Sequence, residues 1–263
     1  MSLGRKYGCY LSEAQPLLQL AAQLKLNVAG VSFHTGGNIT DPTIYTQAIR
    51  ESRTIFELAE GLGFRMKILN IGGGFPSGQV NPNVFANEAN AINAAIDQFF
   101  PASDPRFADL ELQAEPGRFF VGDAPLVVKV IGERYDPDTN AHFVYLNDGY
   151  HQSMHGIVGS NLPINPEVIE IRPRPKRPSY NTTLWGPTCD SNDKIKENFM
   201  FEDVSVDDVL VLQDMGAYTD TLGSTFNGFP LPFHVYHLSP ELRSELSQLP
   251  RWDRVLAAMS KNI

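Results

Sequence analysis

The chain has 263 residues, of which 42% are hydrophobic, so it is long enough to bury a substantial core in one large domain or two. Its formal net charge of −9 argues against nucleic acid or an anionic membrane surface as a partner. Its two cysteines exclude a disulfide framework and favour a reducing, cytoplasmic setting. No apolar run approaches the roughly 18 residues of a membrane-spanning helix, and the N-terminus lacks the pattern of a signal peptide.

The first half of the chain alternates predicted helices with short apolar segments that end near glycines. Apolar residues at helical spacing predict helices from Ser12 to Leu26, after Asp41-Pro42, and from Phe85 to Phe99. The segments between them are predicted strands, at Val28 to His34, Met66 to Ile71, and Leu110 to Glu115. This order is typical of a parallel sheet or a (β/α) barrel, in which functional residues follow the carboxyl ends of the strands.

After about Val121 the pattern changes to short predicted strands separated by turn-rich segments. The predicted strands are Val127 to Tyr135, His142 to Asn147, Val168 to Arg172, Thr182 to Trp185, Val209 to Leu212, and Phe233 to His237. A short helix is predicted after Asn192 and a final helix from Pro250 to Met259. We therefore predict a partial (β/α) barrel over residues 1–121 and a mainly antiparallel β domain over residues 122–263.

The predicted barrel is incomplete. A closed (β/α) barrel has eight strands, in roughly 250 residues, whereas three βα units precede the change of pattern here. Three parallel strands alone would leave an unpaired edge and an exposed apolar face. The first half therefore resembles the end of a barrel whose first strands are absent.

Gly72, Gly73 and Gly74 directly follow the second predicted strand. Three glycines in a row are typical either of a flexible connection or of backbone N–H groups that approach a phosphate closely. His34 and Glu115 follow the neighbouring predicted strands in the same way. Taken alone, His34 could be a histidine whose hydrogen bonds are satisfied at a strand end, and Glu115 could form a surface ion pair with Arg118.

Six motifs in order resemble the eukaryotic-type ornithine decarboxylases, and the resemblance extends from about Tyr7 to Tyr236. The motifs are Val31-Ser32-Phe33-His34, Ile71-Gly72-Gly73-Gly74-Phe75-Pro76, Glu115-Pro116-Gly117-Arg118, Trp185-Gly186-Pro187-Thr188-Cys189-Asp190, Met215-Gly216-Ala217-Tyr218, and Ser224-Thr225-Phe226-Asn227-Gly228-Phe229. The resemblance implies a pyridoxal 5'-phosphate (PLP) enzyme, with an alanine-racemase-like barrel followed by a β domain.

The resemblance implies a role for each residue of the cofactor site. His34 would stack on the pyridine ring, and the N–H groups of Gly72–Gly74 would surround the phosphate. Glu115 would pair with the pyridinium nitrogen and so keep the ring an electron sink. Arg118 would add positive charge near the phosphate, and the hydroxyl of Tyr218 would donate to it, although Tyr218 alone could be an ordinary core aromatic residue.

The resemblance also implies a substrate site that two subunits share. Cys189 would protonate the substrate carbon after CO2 leaves, although a lone cysteine is more often a buried apolar residue. Asp190 would bind the distal amine of the amino acid substrate, and Phe226 would line the pocket. In this family the three residues enter the site of the partner subunit, so a homodimer is expected. No metal-ligand spacing is present, and no metal is expected.

Three features depart from the family pattern. The lysine that bonds covalently to the cofactor lies on an early barrel strand in this family, and none of the lysines here has its sequence context; they are Lys6, Lys25, Lys67, Lys129, Lys176, Lys194, Lys196 and Lys261. The chain alone is therefore expected to be inactive or nearly so. Gly37 replaces a serine that binds the phosphate, so a backbone contact is expected there. Gly159-Ser160 replaces a Tyr-Asp pair whose carboxylate also binds the distal amine.

The leading hypothesis is decarboxylation of a basic amino acid of the ornithine type, which would yield a diamine. The first alternative is a catalytically silent homologue that regulates enzymes of polyamine metabolism. A second alternative, another barrel enzyme with a phosphate-bearing ligand, is disfavoured by the motif that contains Cys189. Diaminopimelate decarboxylases have Cys-Glu-Ser where this chain has Cys189-Asp190-Ser191, so they rank below the ornithine group.

Overall fold

The computed structural model describes residues 6–37, 39, 41–77, 82–160, 162–170 and 175–260. Contacts between residues divide the chain into two compact units. The first unit comprises residues 1–126 with 213–217, and the second comprises residues 127–212 with 218–263. The domain boundary that the sequence places after residue 121 stays a prediction.

The first unit contains a parallel sheet whose strands alternate with helices along the chain. The strands are β1 (Gly30–Ser32), β2 (Ile68–Asn70) and β3 (Glu111–Gln113), and they lie in that order in the sheet. The helices are α1 (Leu11–Gln23), α2 (Thr43–Gly61), α3 (Pro82–Phe99) and α4 (Gly117–Val121), with a 3-10 turn at Pro105–Phe107. Both strand pairs are parallel, so the predicted βα arrangement is confirmed.

A carboxylate lies near the start of each of the first two helices. Asp41 directly precedes Pro42, the N-cap of α2, and its carboxylate accepts the N–H of Thr43 at 3.0 Å and its hydroxyl at 2.7 Å. The helix predicted from Ser12 to Leu26 runs instead from Leu11 to Gln23. Glu13 instead reaches back to accept the N–H of Tyr10 at 2.7 Å, so Tyr10 becomes the N-cap.

The core of the first unit is apolar and rich in aromatic residues. Tyr45 and Ile49 of α2 are fully buried, and Phe56 packs edge-to-face against Phe100 with ring centroids 5.1 Å apart. Tyr45 also stacks on Phe75, with ring centroids 6.1 Å apart. Because Phe75 directly follows the three glycines, this stacking anchors the glycine segment to the core.

The second unit contains a six-stranded sheet in the order β6-β9-β4-β5-β7-β8. Its strands are β4 (Leu126–Asp136), β5 (Ala141–Leu146), β6 (Pro166–Val168), β7 (Ser179–Trp185), β8 (Lys194–Glu202) and β9 (Val209–Leu212). The pairs β4·β5, β7·β8 and β6·β9 are antiparallel, as predicted for most of this domain, whereas β5 and β7 are parallel.

Three predicted elements of the second unit differ from the structure. The strand predicted from Val168 to Arg172 overlaps the observed β6 only at Val168, and its residues 171 and 172 lie outside the described ranges. The helix predicted after Asn192 is instead strand β8, which pairs with β7 from Trp185↔Lys194 to Ser179↔Glu202. Its lysines and glutamates favour a helix, but pairing with a neighbouring strand overrides that weak preference. The segment from Phe233 to His237 has the composition of a strand but is not part of either sheet.

The second unit also contains short helical elements, most of which the sequence did not indicate. They are a π-helical turn at Tyr150–Met154, α5 (His155–Gly159), 3-10 turns at Asp220–Leu222 and Phe226–Gly228, α6 (Pro240–Leu246) and α7 (Trp252–Ser260). Helix α7 corresponds to the predicted final helix. Within the described ranges, no helix combines the length and the apolar composition needed to cross a bilayer.

Candidate active site

The three glycines lie between the loops that follow β1 and β3. A side chain at Gly74 would overlap the carbonyl oxygen of Gly36, and one at Gly73 would overlap the carbonyl oxygen of Glu115. Gly72 and Gly74 also adopt φ values of +70° and +91°, which favour glycine. The segment is therefore a tightly packed turn, and only glycine fits at these positions. The flexible-connection alternative does not describe it.

Asn70, the last residue of β2, connects this turn to Glu115. Its Oδ1 accepts the N–H of Gly72 at 2.8 Å, and its Nδ2 donates to Glu115 Oε1 at 2.7 Å. The N–H of Glu115 in turn donates to the carbonyl of Gly72 at 2.8 Å. Asn70 thereby fixes the orientation of the Glu115 carboxylate. Sequence reasoning missed this residue, although an asparagine directly before Ile71 and the glycines was a usable signal.

His34 is exposed at the end of β1, and its ring is held by the adjacent backbone. Its Nδ1 accepts the N–H of Gly36 at 2.9 Å, so the proton of the neutral ring lies on Nε2. Gly37 lies next to the glycine turn, since a Cβ added there would be 3.9 Å from the carbonyl oxygen of Gly74. The structure thus brings His34, Gly37, the three glycines and Glu115 together at the carboxyl edge of the sheet. Arg118 lies one turn beyond Glu115, in α4.

A buried carboxyl group in α3 belongs to the same unit. Glu88 is 1% exposed, and neither of its carboxylate oxygens has a hydrogen-bond partner among the described residues. Burial raises the pKa of Glu88 to about 7. Burial also raises the pKa of Tyr45, and the nearby charge of Glu88 adds to that increase. The sequence offered no signal for this group, because Glu88 lies within an ordinary amphipathic helix pattern.

Cys189, Asp190 and Phe226 lie together in the second unit, with His151. Cys189 is exposed, and its Sγ accepts a hydrogen bond from Nδ2 of Asn227 at 3.1 Å. Asp190 Oδ2 lies 2.8 Å from Nε2 of His151, whose ring lies 4.3 Å from that of Phe226, centroid to centroid. Sequence reasoning found Cys189, Asp190 and Phe226 but missed His151, which lies 39 residues before Asp190.

The Asp190 carboxylate is stabilised in its charged form. The N–H of Asn192 donates to its Oδ1 at 2.9 Å, and His151 donates to its Oδ2. The Asn192 backbone bond and then the His151 bond lower the pKa of Asp190. At neutral pH Asp190 is therefore a carboxylate that already accepts hydrogen bonds from Asn192 and His151.

Asp193 connects the loop of Cys189 to the π-helical turn that contains His151. It is 1% exposed, and its carboxylate accepts the N–H of Tyr150 at 2.7 Å and both the N–H and the hydroxyl of Thr188, at 2.9 and 2.6 Å. Side chains added at Gly149 or Gly186 would overlap this carboxylate. The close approach of Asp193 thus explains why glycine occupies residue 149 and the motif position Gly186.

Tyr218 belongs to the second unit, whereas Met215–Ala217 of the same motif belong to the first. Tyr218 is 57% exposed and has a φ of +60°. Its carbonyl oxygen lies against Gly156 of α5, where a Cβ would overlap it. The contact between its hydroxyl and a phosphate stays a prediction, as do the roles assigned to the other site residues.

Fold and site together define a class: a βα half-barrel with a glycine turn suited to a phosphate, followed by a sheet domain. Comparisons with known proteins agree. Residues 2–122 match the model of the "Pyridoxal-dependent decarboxylase, pyridoxal binding domain", and residues 122–216 match that of the "Pyridoxal-dependent decarboxylase, C-terminal sheet domain". The chain belongs to the pyridoxal-dependent decarboxylase family.

Individual relatives support the same assignment. The chain is 39% identical to antizyme inhibitor 2 from Xenopus laevis over 86% of this chain and 51% of that protein. It is 34% identical to ornithine decarboxylase from Cricetulus griseus, over 94% of this chain and 55% of the relative. The arginine decarboxylase of Paramecium bursaria Chlorella virus, solved bound to agmatine, superposes with a TM-score of 0.76 at 31% identity, over 86% of this chain and 60% of that one. The chain spans about half the length of the curated relatives it matches.

Proposed function

We propose that this chain forms the cofactor-phosphate side and the substrate-binding sheet domain of a PLP-dependent decarboxylase that acts on a basic amino acid of the ornithine type. The observation that carries the proposal is the glycine turn, locked between His34 and Glu115. Backbone N–H groups at such a turn can surround a phosphate. Residues 72–74 fit a phosphate group because they carry no side chains, so the backbone N–H groups of Gly73 and Gly74 can approach an anion closely.

Within the proposed site, each residue of the first unit has a separate task. The N–H groups of Gly73, Gly74 and Gly37 would bind the phosphate, whereas the N–H of Gly72 already donates to Asn70 at 2.8 Å, and the exposed ring of His34 would lie against the pyridine ring. Glu115, oriented by Asn70 at 2.7 Å, holds the proton of the pyridine nitrogen. When bound, PLP supplies an electron sink for the bond that loses CO2. Arg118 would add positive charge near the phosphate. Tyr218 belongs to the second unit, and its role as a hydroxyl donor to a phosphate stays a prediction.

Cys189, Asp190 and Phe226 form the substrate side. Cys189, held through its Sγ by Asn227, donates the proton that replaces CO2. Asp190 binds the distal amine of the substrate, and Phe226 covers the aliphatic part of its side chain. We propose that the three residues act in the site of a second copy of the chain, which requires a homodimer.

The agmatine bound to the viral arginine decarboxylase is a basic amine, which supports a cationic substrate here. The strength of that preference depends on His151. A substrate amine has to share or displace the bond between His151 and Asp190, and Ser160 supplies no second carboxylate. We therefore expect weak binding of ornithine.

The second candidate is a catalytically silent homologue with a regulatory role, and the bond between His151 and Asp190 favours it. If the bond between His151 and Asp190 never opens, a substrate amine cannot bind to Asp190. The protein would then keep the surface of its enzymatic relatives without their activity. One relative, from Xenopus laevis, is named for inhibiting an antizyme and not for a decarboxylation.

Two measurements test the proposal. PLP binding is followed by the absorbance of the cofactor, and CO2 release from ornithine, lysine and arginine is measured for this chain and for any longer product of its reading frame. We expect the wild-type chain to bind PLP. Gly73→Ala should abolish this binding, because the added methyl group would overlap the carbonyl of Glu115. Absence of PLP binding in every product refutes the cofactor proposal, whereas binding without CO2 release selects the silent homologue.

The role of His151 is tested by diamine binding. We expect His151→Asn to tighten binding of putrescine by roughly ten-fold, since Asp190 regains a charge-assisted hydrogen bond. Ser160→Asp should tighten ornithine binding by a similar factor. His155→Asn, an exposed neighbour on α5, is the matched control. Unchanged affinities in both test variants would remove the argument about the amine site.

Sedimentation velocity tests the homodimer. The expected species has twice the 29.2 kDa mass of the chain at micromolar concentration. A strict monomer under conditions that support PLP binding contradicts the shared site.

A further inference from the structure

His142 is a buried histidine of the second unit that lies between two carboxylates. It is 3% exposed, and its Nε2 lies 3.4 Å from Glu133 Oε2 while its Nδ1 lies 3.7 Å from Asp203 Oδ1. Neither contact has the geometry of a hydrogen bond, and Nδ1 is buried without a hydrogen-bond partner among the described residues. Buried polar atoms without a partner are rare in folded proteins, so this nitrogen requires an explanation.

Three separate elements bring the cluster together. His142 of β5 lies opposite Tyr135 of β4, and Glu133 lies two residues along β4, opposite Val144. Since side chains alternate along a strand, Glu133 and His142 are diagonal neighbours on one face of the sheet. Asp203 follows β8, where its N–H donates to the carbonyl of Pro178 at 2.8 Å. Because the three residues are distant in sequence, no spacing pattern indicates them.

The distances fit coordination to one ion. One ligand atom from each of the three side chains can be chosen so that all three lie within 4.8 Å of one another. Two ligands at about 2.1 Å from a tetrahedral zinc ion lie roughly 3.4 Å apart. The 3.7 Å between His142 Nδ1 and Asp203 Oδ1 is close to that value, and because an ion takes one ring nitrogen, we assign the unpartnered Nδ1 to it. The carboxylates of Glu133 and Asp203 are about one-third exposed, so an ion could enter from solvent and keep a water ligand.

The chemistry of the ligands selects the class of ion. An imidazole nitrogen with two carboxylate oxygens suits a divalent transition metal, whereas calcium and magnesium prefer oxygen ligands only. The ring of Tyr180 packs edge-on against His142, 5.8 Å between centroids, and restricts its movement. Such support from surrounding groups usually strengthens metal affinity.

We propose that Glu133, His142 and Asp203 form a binding site for a divalent transition-metal ion, zinc first, that ties β4, β5 and the end of β8 together. The site shares no residue with the proposed decarboxylase site, and its role is structural. The rival explanation is that the three side chains lie together without any metal.

The test is a titration of the chelator-treated, purified chain with zinc chloride, read by isothermal calorimetry and by thermal unfolding. We expect one zinc ion per chain and a rise in the unfolding temperature. Glu133→Gln and Asp203→Asn should each weaken zinc affinity at least ten-fold. Both positions are partly exposed, so these variants test the site even if His142→Asn fails to fold. Cobalt(II) titration gives an independent readout, since coordination to His142 produces visible absorption bands.

Two controls separate this site from other zinc ligands. His234→Asn removes an exposed histidine paired with Asp220 at 3.0 Å, and it should leave zinc affinity unchanged. Cys189→Ser tests the exposed thiol and should likewise leave it unchanged. The proposal is overturned if the wild-type chain does not bind zinc, or if Glu133→Gln binds zinc as tightly as the wild-type chain. A stability loss in Glu133→Gln without any effect of zinc would show that the cluster acts without a metal, and it would also overturn the proposal.

Discussion

Asp193 is a single buried side chain on which the geometry of the substrate side depends. Its carboxylate accepts two backbone N–H groups and one hydroxyl, from Tyr150 and Thr188. These bonds hold the loop of Cys189 against the turn that carries His151. Each hydrogen bond to a charged acceptor stabilises a protein by roughly 1.5–3 kcal/mol.

Asp193→Asn is therefore expected to lower the free energy of unfolding by about 3 kcal/mol, because an amide cannot accept all three bonds and leaves donors unsatisfied. Urea unfolding followed by circular dichroism measures the change. Asp138→Asn, at an exposed turn between β4 and β5, is the control and should change stability by less than about 0.5 kcal/mol. Equal effects of the two substitutions would show that Asp193 does not organise the loop.

Glu88 gives the folded chain a pH dependence at the residue scale. Burial raises its pKa from 4.5 to about 7. Below pH 4.5 the carboxyl is protonated in both states. Between those values the unfolded chain loses the proton while the folded chain keeps it, so the free energy of unfolding falls as pH rises. Above pH 7 the loss is complete, and it amounts to about 3 kcal/mol.

Glu88→Gln should remove this component, so the variant gains stability over the wild-type chain as pH rises from 5 to 8. Urea unfolding at both pH values gives the difference. Asp97→Asn lies on the exposed face of the same helix and should leave the pH dependence intact. If the wild-type and Glu88→Gln curves stay parallel, Glu88 is not the group responsible.

At the element scale, the glycine turn is specified by sterics and not by flexibility. Gly74→Ala would introduce a methyl group against the carbonyl of Gly36 at a φ of +91°. Left-handed strain and overpacking each cost roughly 1–3 kcal/mol. We expect this substitution to destabilise the chain by about 2–4 kcal/mol and to abolish PLP binding.

Gly61→Ala is the matched control, because nothing lies within 4 Å of a Cβ added at this residue of α2. It should be neutral or stabilising by up to about 1 kcal/mol. Denaturant unfolding and PLP absorbance on both variants make the comparison. Similar behaviour of the two glycine variants would indicate that the turn tolerates a side chain and is not shaped for phosphate.

The elements that the sequence predicts well are those in which apolar residues keep a regular spacing over many residues. Helices α2 and α3 have 19 and 18 residues, and their apolar spacing alone locates them. Strand β8 was missed because its pairing with β7, and not its composition, decides its structure. The same limit applies to the site. Motifs locate His34, Gly72–Gly74 and Cys189, whereas His151 and Asn70 act through contacts that no local pattern contains.

At the scale of the whole molecule, the chain spans about half the length of its relatives, and large apolar side chains are exposed along one of its helices. Leu17 and Leu20 of α1 and Leu24, the residue that caps its C-terminus, are 49–61% exposed. Leu17 also lines a groove of about 880 Å³ between α1, α2 and β1. Contiguous exposed apolar surface of this kind promotes association.

This surface leads to an expectation for the behaviour of the isolated chain. Leu20→Lys with Leu24→Lys should lower the fraction of high-mass species in sedimentation velocity and reduce binding of an apolar dye, because two large apolar groups leave the surface. Gln19→Lys with Gln23→Lys adds the same charge at exposed polar positions of the same helix, so it separates the apolar effect from charge repulsion. If both pairs reduce association equally, net charge governs the solubility of the chain and the apolar side of α1 is not an association surface.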